Sequence, residues 1–297
     1  VTKKITEHFS NIFFNDQINF FEKSSNVEMR NPFNKEEIKS AVKKLNNNKS
    51  AGPDDIFAEE LKNCPDIVFD LIASMFNKVA NNGESLKELN EGFLVPLLKP
   101  GKAKGSVENL RPIILFNIIR KILCNVILNR IRLRLEKVIP ISQAAYRKGR
   151  STTENVCAMK LLIDKALIEK NFSLDLLLLD MSKAFDSVNR ENLMSDLRNI
   201  LESDELNIIN LLINEVKLKV KNKDNIGNFF DTNIGVPQGD SLSPILFTLY
   251  LANTLSDKNF EIVDEDIIFN YKLDSDKFLP NHIKDHNYSS KRSIGVN

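Results

Sequence analysis

Apolar and polar positions follow two rhythms along this chain, one near 3.6 residues and one of two. Ile38, Val42 and Leu45 recur at helical spacing behind Asn34-Lys35-Glu36-Glu37, which reads as an N-cap with its glutamate partner, so a helix is expected near 35–46. Asn47 to Pro53 is a turn-rich break. A second helix is expected from Asp66 to about Asn82, with Gly83 as its C-cap. Gly92 to Leu98 is short and apolar and runs into Lys99-Pro100-Gly101, the pattern of a strand ending in a turn. Ile113 to Lys137 reads as one long amphipathic helix. Ser151-Thr152-Thr153-Glu154 reads as a capping box opening a helix to about Lys170. Leu174 to Leu179 is nearly all leucine. Leucine alone allows a helix, but so short a run between helical patterns favours a strand buried on both faces. Helices are expected near 190–202 and 204–214. Val216 to Val220 alternates with period two and Asn228 to Ile234 is strand-like, which predicts a hairpin turning near Asp224 to Gly227. Ser241 to about Leu255 is the last clear helix, and the acidic, then polar, stretch after it yields no assignable element.

Many helices and few strands point to an α/β or α+β architecture with a small sheet. The composition agrees. Of 297 residues, 42% are hydrophobic and 27% charged, which excludes a disordered chain. Ten glycines and ten prolines exclude collagen-like and linker-like sequences. Cys64, Cys124 and Cys157 fit no zinc-ligand spacing, and the apolar surroundings of Cys124 and Cys157 mark them as buried, reduced thiols of an intracellular protein. No apolar run reaches the roughly 18–20 residues that span a bilayer. Val1-Thr2-Lys3-Lys4 offers neither an initiator Met nor a signal-peptide core, so the chain reads as a fragment at its N-terminus.

Charge changes the picture only when read by position. The whole chain carries +1, which argues against a polyanionic partner. Between Lys99 and Arg150, however, 13 basic residues face only Glu108 and Glu136, a local +11 that leaves −10 for the remainder. A solvated helix face is the bland explanation of such a run. The compact Arg147-Lys148-Gly149-Arg150 loop before a helix start favours contact with a polyanion.

Three motifs carry candidate chemistry. In Leu177-Leu178-Leu179-Asp180-Met181-Ser182-Lys183-Ala184-Phe185-Asp186-Ser187-Val188, an aspartate at the end of an apolar strand can hold magnesium, with the Met181 carbonyl as a further ligand. Asp180 equally reads as a cap or loop residue. In Gly235-Val236-Pro237-Gln238-Gly239-Asp240-Ser241, two glycines before a helix allow close approach of backbone to an anionic ligand. The alternative is a tight turn capped by Asp240 or Ser241. In Asn109-Leu110-Arg111-Pro112-Ile113, after Lys99-Pro100-Gly101-Lys102, cations on a turn can clamp a triphosphate.

In this order the motifs resemble the reverse transcriptase domain of non-LTR (LINE-type) retrotransposons. The matching stretches are Ser50 to Asp54, Val95 to Lys102, Asn109 to Ile113, Gln143 to Thr153, Asp180 to Val188 and Gly235 to Phe247, within roughly residues 34–255. The resemblance implies an α+β right-hand polymerase fold, helix-rich with a small antiparallel sheet, comprising fingers and a partial palm. It divides the chain into an N-terminal extension (1–33), fingers (34–170), palm (171–213), a hairpin of the fingers (214–234) and a palm continuation (235–297). It implies RNA-directed DNA polymerisation with two Mg2+ ions at Asp180 and Met181, Asp180 being the catalytic carboxylate. Lys99, Lys102, Arg111, Phe185, Gln238 and Gly239 would contact the deoxynucleoside triphosphate, with Phe185 excluding a 2′-hydroxyl. Gln143, Arg147 and Arg150 would follow the template through backbone and hybrid shape. Lys183 and Asp186 are given mainly structural roles. The implied partners are an RNA template, a DNA primer, deoxynucleoside triphosphates and the remaining palm and thumb of the same polyprotein, with a nuclear location and no membrane. The family's adjacent aspartates in an aromatic-Ala-Asp-Asp context have no counterpart here. Asp264-Glu265-Asp266 lies too soon after Gln238. The expectation is a chain truncated before that motif and unable to polymerise alone. A noncatalytic nucleic-acid-binding remnant and another palm polymerase, such as a group II intron maturase, are the competing readings.

Overall fold

Strand β1 (Glu91–Leu98) pairs antiparallel with β2 (Leu110–Phe116), in register from Gly92 opposite Phe116 to Leu98 opposite Leu110. It also pairs in parallel with β3 (Val216–Asn222), which pairs antiparallel with β4 (Asn225–Thr232), giving the order β2-β1-β3-β4. The small sheet is therefore mixed, where an antiparallel one was expected. The chain returns from β1 to β3 through several helices, and only such a long crossover lets two strands run the same way. The computed structural model describes residues 1–18, 28–82, 87–169, 174–176, 178, 180–214, 216–256, 268–269 and 292–293. They form two compact units, one of residues 1–139 and 183–253, the other of 140–182 and 254–297.

In the first unit the helices before the sheet are α1 (Thr2–Phe13), α2 (Lys35–Lys43), α3 (Ala58–Lys62), α4 (Ile67–Asn82) and α5 (Lys87–Asn90). α6 (Ile118–Val138) follows β2. α7 (Thr152–Ile168) belongs to the second unit, together with a two-residue ladder of Ile268–Phe269 with Arg292–Ser293. α8 (Arg190–Arg198), α9 (Ser203–Ile213) and α10 (Ser243–Ser256) complete the set. The capping box before α2 forms as expected: Asn34 Oδ1 accepts from the Glu37 amide at 3.0 Å and Glu37 Oε2 accepts from the Asn34 amide at 3.4 Å.

Two cores result. One face of the sheet (Leu94, Ile114, Phe116, Val216, Leu218, Val220, Phe230) buries Ile5, Phe9 and Phe13 of α1, which sequence patterning left unassigned. Their i, i+4, i+8 spacing puts them on one helix stripe, and each fully buried side chain contributes about 1.5–3 kcal/mol. The larger core surrounds α6. Consecutive residues Ile122-Leu123-Cys124 and Val126-Ile127-Leu128 are all buried there, so α6 is covered on most of its circumference and is not amphipathic.

Several expectations are corrected. Residues 113–116 are strand, not helix: Asn117 separates β2 from α6, and β-branched Ile113 and Ile114 lie opposite Val95 and Leu94 of β1. The hairpin turns at Lys223-Asp224, with Lys223 at φ 55°, ahead of the expected place. At the start of α7, Ser151 Oγ accepts from the Thr153 amide, but Glu154 pairs with Arg150 at 2.8 Å and does not close a capping box. Cys157 is exposed on α7, whereas Cys124 is buried and its thiol pKa is pushed up by that burial. Of the leucine run, residues 174–176 and 178 are not in a strand, and Leu176 and Leu178 are exposed. A strand buried on both faces needs paired neighbours, and no strand among the described residues pairs with this run. Leu177 and Leu179, the Gly83 C-cap and Asp264-Glu265-Asp266 lie outside the described residues.

Candidate nucleotide site

A buried scaffold holds the Gly235–Asp240 loop between β4 and α10. The Gly235 amide donates to Val188 O at 2.8 Å and the Val236 amide to Phe185 O at 2.9 Å, so this loop runs beside the Lys183–Val188 turn. A Cβ at Gly235, where φ is 78°, would lie 2.7 Å from Asp186 O. On its other side the loop rests on β2: Gln238 O accepts from the Ile114 amide at 2.8 Å, and a Cβ at Gly239 would fall 2.0 Å from Ile114 O. Both glycines are thus required by close backbone approach.

Two buried arginines brace the same loop. Arg190 donates to Gly235 O, Thr232 O, Thr232 Oγ1 and Ile234 O at 2.8–3.1 Å. Burial, then the charge of Arg120, pull its pKa below the usual arginine range. Arg120 lies over the Phe116 ring at 4.0 Å, donates to Leu89 O, Asn90 Oδ1 and Leu212 O, and stands 3.5 Å from Asp240. Asp240 in turn accepts from the Leu242 and Ser243 amides and caps α10, one of the two caps the sequence allowed. Sequence reasoning missed both braces and counted Arg120 as surface charge. The readable signal was position: Arg190 shares a helical stripe with Leu193, Met194 and Leu197, and Arg120 with Leu123, Cys124 and Ile127, all buried.

Within this frame the structure brings together Phe185, Asp186, Gln238 and Gly239, with Lys99 near Asp186. Phe185 stacks on Phe247, centroids 4.7 Å apart, so it is partly a core aromatic. Asp186, 5% exposed, accepts from Gln238 Nε2 at 2.8 Å. Burial pushes its carboxyl up to about 6, against the lowering effects of the Gln238 hydrogen bond and the Lys183 and Lys99 charges. Gly239 is exposed beside Gln238. Lys99 closes the β1–β2 loop: its amide donates to Asn109 O at 2.8 Å and its Nζ to Glu108 O at 2.9 Å. Lys102 and Arg111 are exposed on the same hairpin. His8 of α1 also faces this cluster; its pKa is lowered by burial, then by Lys183. The Ser50 to Asp54 motif proves to be scaffold: Asp54 caps α6 through the Ile118 amide at 2.8 Å, and a Cβ at Gly52 would fall 2.3 Å from Phe116 O.

The other expected residues lie in the second unit. Asp180 and Met181 are exposed. Arg147 donates to Pro140 O and Gln143 O, and Arg150 to Ile141 O, so both guanidinium groups also hold their own loop. Among the described residues, no group of three or more His, Cys, Asp or Glu could hold a metal ion. Asp180 and Met181 therefore do not by themselves build a two-magnesium centre. The basic segment is also less free than its sum. Arg120 is buried, Arg130 forks onto Glu37 at 2.6–2.8 Å, and Arg134 pairs with Glu205. No helix among the described residues is long and apolar enough to cross a membrane.

A helix-rich chain with a small mixed sheet, whose edge strand seats a glycine-bracketed loop beside a Phe-Asp turn, is compatible with a reverse transcriptase domain. The family model described as "Reverse transcriptase (RNA-dependent DNA polymerase)" matches residues 98–271, and the chain belongs to that family. It is similar to "Probable RNA-directed DNA polymerase from transposon BS" of Drosophila melanogaster, 26% identical over 78% of this chain and 26% of that protein. It is also similar to "RNA-directed DNA polymerase from mobile element jockey" of Drosophila funebris, 28% identical over 75% of the chain and 24% of the relative. A third relative, "Probable RNA-directed DNA polymerase from transposon X-element" of Drosophila melanogaster, is 27% identical over 74% and 24%. These mobile-element relatives support the resemblance to non-LTR retrotransposon reverse transcriptase domains. The chain spans about a quarter of the length of the curated relatives it matches.

Proposed function

We propose that this chain is the template- and nucleotide-handling part of an RNA-directed DNA polymerase, fingers over residues 34–170 and 214–234, palm over 171–213 and onward from 235. One observation carries the reading: the Phe185-Asp186 turn is hydrogen-bonded to the Gly235–Asp240 loop, which in turn is hydrogen-bonded to β2, the strand that also carries Arg111. In this reading Arg111, Lys99 and Lys102 attract the triphosphate of an incoming deoxynucleotide. Phe185 lies beneath its sugar, and Gln238 and Gly239 contact sugar and base. Gln143, Arg147 and Arg150 lie along the RNA template, and a DNA primer supplies the attacking hydroxyl. Magnesium, when bound, would neutralise charge developing at the transferred phosphoryl group. Asp180 and the Met181 carbonyl would contribute to holding it.

Filter binding and primer extension test the proposal. The 297-residue chain is expected to retain an RNA–DNA hybrid, less tightly as salt rises, and to show no extension with magnesium. Failure to bind the hybrid contradicts the reading. Robust extension abolished by Asp180→Ala contradicts the incomplete metal site and removes the alternative of a noncatalytic binding remnant.

A further inference from the structure

The bond between Asp186 and Gln238 decides which atom Gln238 shows to a ligand. A buried, ionised carboxylate can only accept, so the glutamine must give it Nε2. That is the arrangement found, at 2.8 Å. Gln238 is half-buried, and its Oε1 is not among the buried polar atoms without a partner. No described residue donates to it, so it faces solvent. The backbone on both sides is fixed, by Gly235 against Asp186 and by Gln238 O on the Ile114 amide. With the backbone fixed, the orientation of the amide is set by the side chain's own partner, Asp186.

We propose that Asp186 is a positioning residue that locks the Gln238 amide with its nitrogen inward and its carbonyl oxygen outward, so that the site presents an acceptor to a hydroxyl or amino donor of the incoming nucleotide. The inference rests on the reading that Gln238 faces the nucleotide. It goes beyond a structural role for Asp186, because the carboxylate sets the polarity of the contact. Protonation of Asp186 removes the constraint: a carboxylic acid donates as well as accepts, and the amide is then free to turn its NH2 outward. The charged groups facing Asp186 are Lys183 on its own turn and Lys99 from the β1–β2 loop. His8 faces Lys183 from α1, which packs on this turn. The Gln238 hydrogen bond, then the two lysine charges, favour the ionised carboxylate and offset part of the upward push of burial.

The experiment is an NMR titration of the Gln238 side-chain amide in the full chain, labelled with nitrogen-15. The expected result is a single transition with a midpoint near the Asp186 value of about 6, and none in Asp186→Asn. An amide that does not titrate in the unmodified chain, or that titrates equally in Asp186→Asn, overturns the proposal. A second arm reads binding of a deoxynucleoside triphosphate at about pH 8. Gln238→Glu is expected to weaken binding roughly tenfold, because two carboxylates then face each other. Adding Asp186→Asn is expected to recover most of that loss, since the introduced carboxamide can donate to the new carboxylate. Absence of recovery counts against the positioning role. A correct titration with no nucleotide binding by the unmodified chain instead refutes the nucleotide reading and leaves the orientation standing.

Discussion

Replacing Asp186 with asparagine removes a charge that the fold holds at a cost. Burial raises the carboxyl from 3.8 to about 6 in spite of one hydrogen bond and two nearby lysines. That displacement corresponds to about 3 kcal/mol of disfavoured ionisation in the folded state. The folded pKa lies above the unfolded one, so the folded chain binds the proton more tightly. Stability from this group is therefore full below about pH 4 and is lost as pH rises through about 6. Asparagine keeps the shape and an acceptor for Gln238 but has nothing to ionise. Asp186→Asn should match the unmodified chain below about pH 4 and exceed its stability by up to about 3 kcal/mol above about pH 6. Urea unfolding at a series of pH values measures both curves. A constant offset at every pH, or a variant less stable above about pH 6, would refute the reasoning. A stabilising change at this residue would also show that the charge is not kept for the stability of the fold.

Three further outcomes are expected. Arg190→Met leaves the carbonyls of Thr232, Ile234 and Gly235 without their donor and should cost roughly 3–5 kcal/mol, with hydrogen exchange accelerating first at the Gly235 and Val236 amides; unchanged exchange there would count against the brace. Gly239→Ala forces a Cβ against Ile114 O at φ 151° and should cost roughly 1–3 kcal/mol while abolishing nucleotide binding; an alanine variant that binds normally would contradict the tight seat on β2. Lys102→Ala with Lys104→Ala should flatten the salt dependence of hybrid binding by a slope of roughly one to two, whereas Arg130→Ala should leave it unchanged because Glu37 already neutralises that guanidinium; equal effects would refute the division between free and paired charge.

Local chemistry was legible where it acted locally. The Asn34 capping box, the apolar stripes of α2, α4, α8 and α9, and the β3 alternation all follow from short-range rules. The errors arose where distant partners decide. Ile113 to Phe116 continues smoothly into the apolar positions of α6, and only pairing with β1 makes it a strand. Gly227 reads as a turn glycine, yet the turn falls earlier. Its missing side chain instead makes room for α1, since a Cβ there would lie 2.8 Å from Thr6 Oγ1. The candidate site shows the same division. Gln238, Gly239 and Phe185 were named from their motifs. The buried arginines beneath them were hidden by their charge, because arginine counts toward a basic surface until its stripe is followed into the core. The +11 segment likewise lost part of its meaning, since Glu37 and Glu205, both outside it, pair with two of its arginines.

The most direct test of the nucleotide site is photo-crosslinking of a light-activated deoxynucleoside triphosphate to the chain in the presence of an RNA–DNA primer–template, followed by peptide mapping. The account predicts adducts on the Lys99–Arg111 hairpin and the Gly235–Asp240 loop, competed away by ordinary deoxynucleoside triphosphate. Adducts confined to other segments, or labelling that the competitor does not reduce, would contradict it.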